Sequence, residues 1–76
     1  MTGRPIKRSL TLKGHRTSVS LEDTFWSAFL TLTAEKGKKI NGFAAEIDAA
    51  RGDIGLASAI RTVVLTDLQG KLKQQI

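Results

Sequence analysis

Seventy-six residues with no cysteine and a single histidine make one small domain, and they exclude disulfides, thiolate metal sites and any ordinary zinc centre. Twelve Lys and Arg against seven Asp and Glu leave a net charge of +5 and a pI near 10.1. Arg4, Lys7, Arg8, Lys13 and Arg16, with His15, all precede the first acid, Glu22. A basic segment this one-sided suits a polyanion, either nucleic acid or an anionic membrane surface; a solubilising tail is the plainer alternative. No apolar run approaches the roughly 20 residues of a membrane span. The basic start has no apolar stretch behind it, so no secretory signal is expected and the cytoplasm is the expected location. A core this small also leads us to expect self-association as the remaining source of stability.

Residues 1–8 contain Gly3 and Pro5 and little apolar surface, which predicts a basic, flexible arm ahead of a domain spanning 9–70. Ser9 to Lys13 alternate as a short strand would. Two readings are open: Lys13-Gly14-His15 turns this segment back onto the next strand as a hairpin, or it stays extended until it binds something. Arg16 to Leu21 alternate more clearly. Thr17, Val19 and Leu21 share one face, and Arg16, Ser18 and Ser20 share the other. A lone short strand is not stable in water, so this one needs a companion.

Ser20-Leu21-Glu22-Asp23 has the form of a capping box and predicts a first helix from Leu21 or Glu22 to Gly37. Phe25, Ala28, Phe29 and Leu32 line its apolar face, widened by Trp26 and Leu30; the spacing is that of core packing rather than of an aromatic ligand box. Asn41 is the expected N-cap of a second helix running to about Arg51, with Phe43, Ala44, Ile47 and Ala50 inward. After Gly52-Asp53-Ile54-Gly55 a third helix is predicted from Leu56 to Leu68, with Ala57, Ile60, Val64 and Leu68 inward. Residues 71–76 read as a basic tail that weakly extends it. No internal repeat and no low-complexity tract is evident.

Enzyme chemistry is poorly supplied. His15 has no carboxylate beside it in sequence, and Glu46 and Asp48 are two apart on a helix, so they point in different directions. Neither Gly52-Asp53-Ile54-Gly55 nor Gly37-Lys38-Lys39 has the spacing of a phosphate-cradling loop. No enzymatic activity, cofactor or metal is expected. DNA contact is better supplied. A two-stranded ribbon fits the major groove, where Arg16 can grip guanine O6 and N7, and Ser18 and Ser20 can bond base edges. Lys38, Lys39 and Asn41, at the start of the second helix, suit phosphates, as do Arg4, Lys7, Arg8 and Lys13. The plain alternatives are that Ser18 and Ser20 are a wetted strand face, that Ser20 is consumed as a cap, and that Lys38 and Lys39 are ordinary loop lysines.

The order of strand Arg16–Leu21, helix, Gly37-Lys38-Lys39-Ile40 turn and second helix from Asn41 resembles the ribbon-helix-helix DNA-binding family, which includes the Arc and methionine repressors. His15 through Trp26, Ala45 to Gly52 and Ala57-Ser58-Ala59-Ile60-Arg61 further resemble a bacterial subfamily with an added C-terminal helix. The resemblance implies a mainly α fold with a short β-ribbon, a third C-terminal helix and an intertwined homodimer in which two chains pair their strands. It implies a transcriptional regulator or repressor of double-stranded DNA, with Val19, Leu21, Phe25, Trp26, Phe29, Ile40, Phe43 and Ile47 in a shared dimer core. Two departures stand out: Lys39 and Asn41-Gly42 replace the serine-rich cap common in the family, and Gly52 cuts the second helix short. The third helix then completes the core and is available for a protein partner or a dimer of dimers. An antitoxin or adaptor that docks a protein on this helix is the alternative function; no membrane partner is expected.

Overall fold

The computed structural model describes residues 3–74, arranged as two strands followed by three helices. Met1, Thr2, Gln75 and Ile76, at the ends of the expected arm and tail, lie outside the described residues. Strand β1 spans Ile6–Leu12 and β2 spans His15–Leu21. They form one antiparallel two-stranded sheet in which Ser9 faces Ser18 and Leu12 faces His15. Of the two readings of residues 9–13, the hairpin is the one adopted, and it is longer than expected. The turn is only Lys13-Gly14, with φ of 52° and 82°. Left-handed dihedrals at both positions are what a two-residue turn needs to follow the right-handed twist of its strands. Arg16–Leu21 was expected to find its companion in a second copy of the chain; it finds it in β1. Ile6, Lys7 and Arg8 are strand, not arm, because they continue the ladder opposite Leu21, Ser20 and Val19.

Helix α1 covers Asp23–Glu35, α2 covers Ile40–Ala50 and α3 covers Leu56–Gln74. The capping box is not formed. Glu22 sits at the N-cap with extended dihedrals and makes no side-chain cap bond, since Ser20 is still paired in the ribbon opposite Lys7. The far end of α1 closes as expected: Gly37, at φ 67°, donates to the Ala34 carbonyl at 3.0 Å and Lys38 N–H to the Thr33 carbonyl at 3.1 Å. That crossed pair is a Schellman motif, which demands a residue free to adopt left-handed φ. Residues 71–74 of the segment read as a tail belong to the last turn of α3, where Lys71 bonds Glu35 of α1 and Asp67 of its own helix.

Leu10, Val19, Leu21, Phe29, Leu32, Phe43, Ala44, Ile47, Ala59, Ile60 and Val64 form one core. Phe25, Trp26 and Ile40 pack partly buried against it. The core residues expected from a shared dimer interior therefore meet inside a single chain. Phe29 is at its centre, stacked on Phe43 with ring centroids 5.4 Å apart and tilted against Trp26 at 6.1 Å. The only buried polar side chain among the described residues, Thr33, donates to the Phe29 carbonyl at 2.7 Å, so its hydroxyl does not go unsatisfied. Leu68, expected inward, is 46% exposed: it lines an open groove between α1 and α3 with Ala28, Leu32 and Val64 rather than being sealed in the core.

Candidate nucleic-acid interface

Strand register sorts the hairpin into two faces. Facing residues in an antiparallel pair point the same way, and neighbours along a strand point oppositely. Ile6, Arg8, Leu10 and Leu12 therefore share the inner face with His15, Thr17, Val19 and Leu21. The outer face consists of Lys7, Ser9 and Thr11 on β1 and Arg16, Ser18 and Ser20 on β2. All of these outer residues are exposed, and none is an acid. The three side chains read as base-facing, Arg16, Ser18 and Ser20, lie together on this face. Ser9 and Thr11 escaped the sequence reading, and Lys7 was placed only among the phosphate contacts. The signal for them was present: the period-two alternation continues back through Leu10 and Leu12 to Ile6.

Lys7 and Arg8 are neighbours with opposite fates. Arg8 is on the inner face, where its guanidinium lies 5.4 Å from the Trp26 ring, donates to an Asp23 carboxylate oxygen and reaches the Leu21 carbonyl at 3.5 Å. Its side chain is only 18% exposed. That removes Arg8 from the expected phosphate contacts and makes it a clamp between β1 and the start of α1.

Both ribbon edges are met by side chains from the helices. Flanking a two-residue turn, Leu12 and His15 form a hydrogen-bonded pair, and bonding alternates from there. The N–H and C=O groups of Lys7, Ser9 and Thr11 thus point out of one edge, and those of Arg16, Ser18 and Ser20 out of the other. Asn41 Oδ1 accepts the Thr11 N–H at 3.0 Å. Arg61 Nη2 reaches the Ser20 carbonyl at 3.4 Å. Such contacts discourage indiscriminate strand addition. They also correct the reading of Asn41. The N-cap of α2 is Lys39, with no side-chain cap bond, and Asn41 instead ties the start of α2 to the β1 edge.

That tie places the N-terminus of α2 beside the ribbon. Phe43 is the first residue of α2 whose N–H bonds back, to the Lys39 carbonyl at 2.9 Å. The N–H groups of Ile40, Asn41 and Gly42 have no partner within the helix and carry the positive end of its dipole. Lys39 is exposed next to them and makes no ion pair among the described residues. Lys38, by contrast, bonds Glu46 at 2.6 Å and lies 5.3 Å from the Phe43 ring.

The ion pairs separate two populations of cations. Arg8, Lys38, Arg51, Arg61 and Lys71 are matched with Asp23, Glu46, Asp48, Glu22, Glu35 and Asp67. Six of the seven acids are used in this way. Arg4, Lys7, Lys13 and Arg16, on or next to the hairpin, have no such partner among the described residues, and neither do Lys36, Lys39 and Lys73. Glu22 is held below the ordinary carboxylate range, first by a backbone N–H bond and then by Arg61, whose Nε and Nη2 donate to one oxygen at 3.0 and 2.9 Å. Lys71 is raised above the ordinary lysine range by Glu35 and then Asp67.

His15, at the hairpin tip, lines a cleft of about 400 Å³ with Asp48 and Arg51. Asp48 is taken by Arg51 at 2.7 Å, which also spans to the Ile54 carbonyl at 2.6 Å. Among the described residues, no three acidic or imidazole side chains gather to hold a metal, and no helix is long and apolar enough to cross a membrane.

A two-stranded ribbon feeding into two helices, with the second helix starting at the ribbon's flank, defines a class of nucleic-acid-binding domain. The chain belongs to the ribbon-helix-helix domain family, whose model matches residues 5–68. Members of that family are typically DNA-binding transcription regulators or antitoxins. No curated protein and no solved structure matches this chain.

Proposed function

We infer that this protein binds double-stranded DNA sequence-specifically, laying the outer face of its hairpin into the major groove to regulate transcription from the cytoplasm. The observation that carries this is the outer face itself: six exposed polar side chains, with no ion pair to Lys7 or Arg16 among the described residues, while Arg61 and Lys71 of α3 are paired with acids. Arg16, Ser18 and Ser20 face the bases. Lys39 and the free N–H groups of α2 hold a phosphate on the β1 flank, with Lys38 nearby, and Asn41 sets that distance through Thr11. Arg4 and Lys13 contact the backbone beyond the ends of the ribbon.

Self-association has a separate support. Leu65, Leu68 and Leu72 recur at i, i+3 and i+7 on α3 and are 52%, 46% and 62% exposed. A stripe of this kind suits another apolar helix face. A homodimer joined there brings two ribbons to two half-sites. The same stripe favours the second reading, in which α3 docks a protein of another kind, as an antitoxin or adaptor does.

Duplex titration at several salt concentrations tests the main reading. Affinity should fall by roughly 0.9 log units per log unit of salt for each phosphate neutralised. Arg16→Ala should cost about 1–3 kcal/mol and relax preference at one base position. Salt-insensitive binding, or none, defeats the reading. Solution mass in the same samples separates a dimer from a monomer awaiting a different partner.

A further inference from the structure

The hairpin register exposes a repeat that the linear sequence hides. Ser9 faces Ser18, so a two-fold axis through that pair carries each residue of β1 onto the residue nine positions later in β2. Lys7 then superposes on Arg16, Ser9 on Ser18 and Thr11 on Ser20 on the outer face. On the inner face Leu10 superposes on Val19 and Leu12 on Leu21. Both strands thus read cation, serine, hydroxyl outward and aliphatic inward. The exceptions are Ile6, which superposes on His15, and Arg8, which superposes on Thr17; Arg8 is the residue withdrawn to clamp Trp26 and Asp23.

We propose that the hairpin of one chain is a complete, pseudo-two-fold reading ribbon. Lys7, Ser9 and Thr11 read base edges on one half of a short pseudo-palindromic site, as Arg16, Ser18 and Ser20 read the other. This rests on the DNA-binding reading above and specifies how the groove is filled. Duplex DNA has local two-fold axes of its own, so a two-fold ribbon meets matching chemistry on each side of such an axis. The dimensions agree. Two strands lie about 4.8 Å apart and fit a major groove about 12 Å wide. Joining the β2 edges of two chains gives four strands, with roughly 14 Å between the outer backbones before any side chains are counted. Lys7 and Arg16 stand four register positions apart along the ribbon, or roughly 14 Å at 3.4 Å per residue. Both cations favour guanine O6 and N7, so the two halves of the site should be marked by guanines about four base pairs apart on opposite strands.

The test is selection of preferred duplexes from a randomised pool by the full chain and by Lys7→Ala, Arg16→Ala and the exchange Lys7→Arg with Arg16→Lys. Lys7 and Arg16 are exposed and make no ion pair among the described residues, so all variants should melt like the wild type. Each alanine variant should lose about tenfold discrimination at one guanine and keep the other. The exchange should reverse the orientation of the preferred site. If Lys7→Ala selects the same sequences with the same ratios while Arg16→Ala shifts them, the one-chain ribbon is overturned and DNA reading by β2 stands. If the wild-type chain shows no salt-sensitive duplex binding, the underlying reading fails instead.

Discussion

The two faces of the hairpin differ more than its two strands do. On the inner face Arg8 has a ring, a carboxylate and a carbonyl as partners, and Leu10, Val19 and Leu21 are sealed against α1, α2 and α3. On the outer face Lys7 and Arg16 have no ionic partner among the described residues. The chain has enough acids to neutralise either set. It uses them on cations that fasten one element to another: Asp23 on β1, Glu22 on α3, Glu35 on the last turns of α3. Cations held in this way stabilise the fold, whereas cations without a partner retain their full charge for an anionic ligand. Cations one position apart, Lys7 and Arg8, serve the two ends, because a strand alternates faces.

The difference can be broken first at the core beneath the inner face. Phe29→Ala leaves a cavity among Phe43, Trp26 and the strand residues and should cost about 3–5 kcal/mol in denaturant unfolding. A loss below about 1 kcal/mol would mean that the single-chain core is not what holds the ribbon. Arg8→Ala should come next. It removes a mostly buried side chain from Trp26 and leaves Asp23 without that partner, at about 1–2 kcal/mol of stability. Under conditions where the variant is folded, its DNA affinity should stay near that of the wild type. Arg16→Ala should give the converse, with DNA affinity lost and the melting temperature unchanged. If the two arginines behave alike, the faces are not functionally distinct.

A smaller effect sharpens the link between β2 and α3. Glu22 titrates below its ordinary value of 4.5, first because of its backbone bond and then because of Arg61. Since the folded value lies under the unfolded one, the contribution of Glu22 is present above about the unfolded value. It is lost as pH falls through the lowered folded value. Following the Glu22 carboxyl by NMR should show its midpoint move upward in Arg61→Ala, though not fully to normal, because the backbone bond persists. An unmoved midpoint would dissociate α3 from the strand–helix junction.

The order of β2 and the three helices, the site of the turns and most of the apolar faces of α1 and α2 were legible in the sequence, because each depends on neighbours within a few residues; Leu30 and Ala50, expected on those faces, are exposed. The 3.6-residue spacing of Phe25, Phe29 and Leu32, the left-handed site at Gly37, and the outward set of Arg16, Ser18 and Ser20 all belong to that kind. Leu68 was misread since the width of an apolar helix face does not say which part of it the neighbouring helix covers. Asn41 was misread since the open edge of β1 made a better claim on its amide than the helix start did. The capping box at Ser20 was misread because the ribbon extends to Leu21.

By itself, then, the sequence determined a basic alternating segment, its outward chemistry and the helices that follow. Only the tertiary structure decided that β2 pairs with β1 of the same chain, that the strand and helix core residues meet within one chain, and that Arg8 turns inward while Lys7 stays out. Local spacing sets which side of a strand a residue occupies. Which surface that side meets depends on contacts between segments far apart in the chain, and no local pattern encodes them.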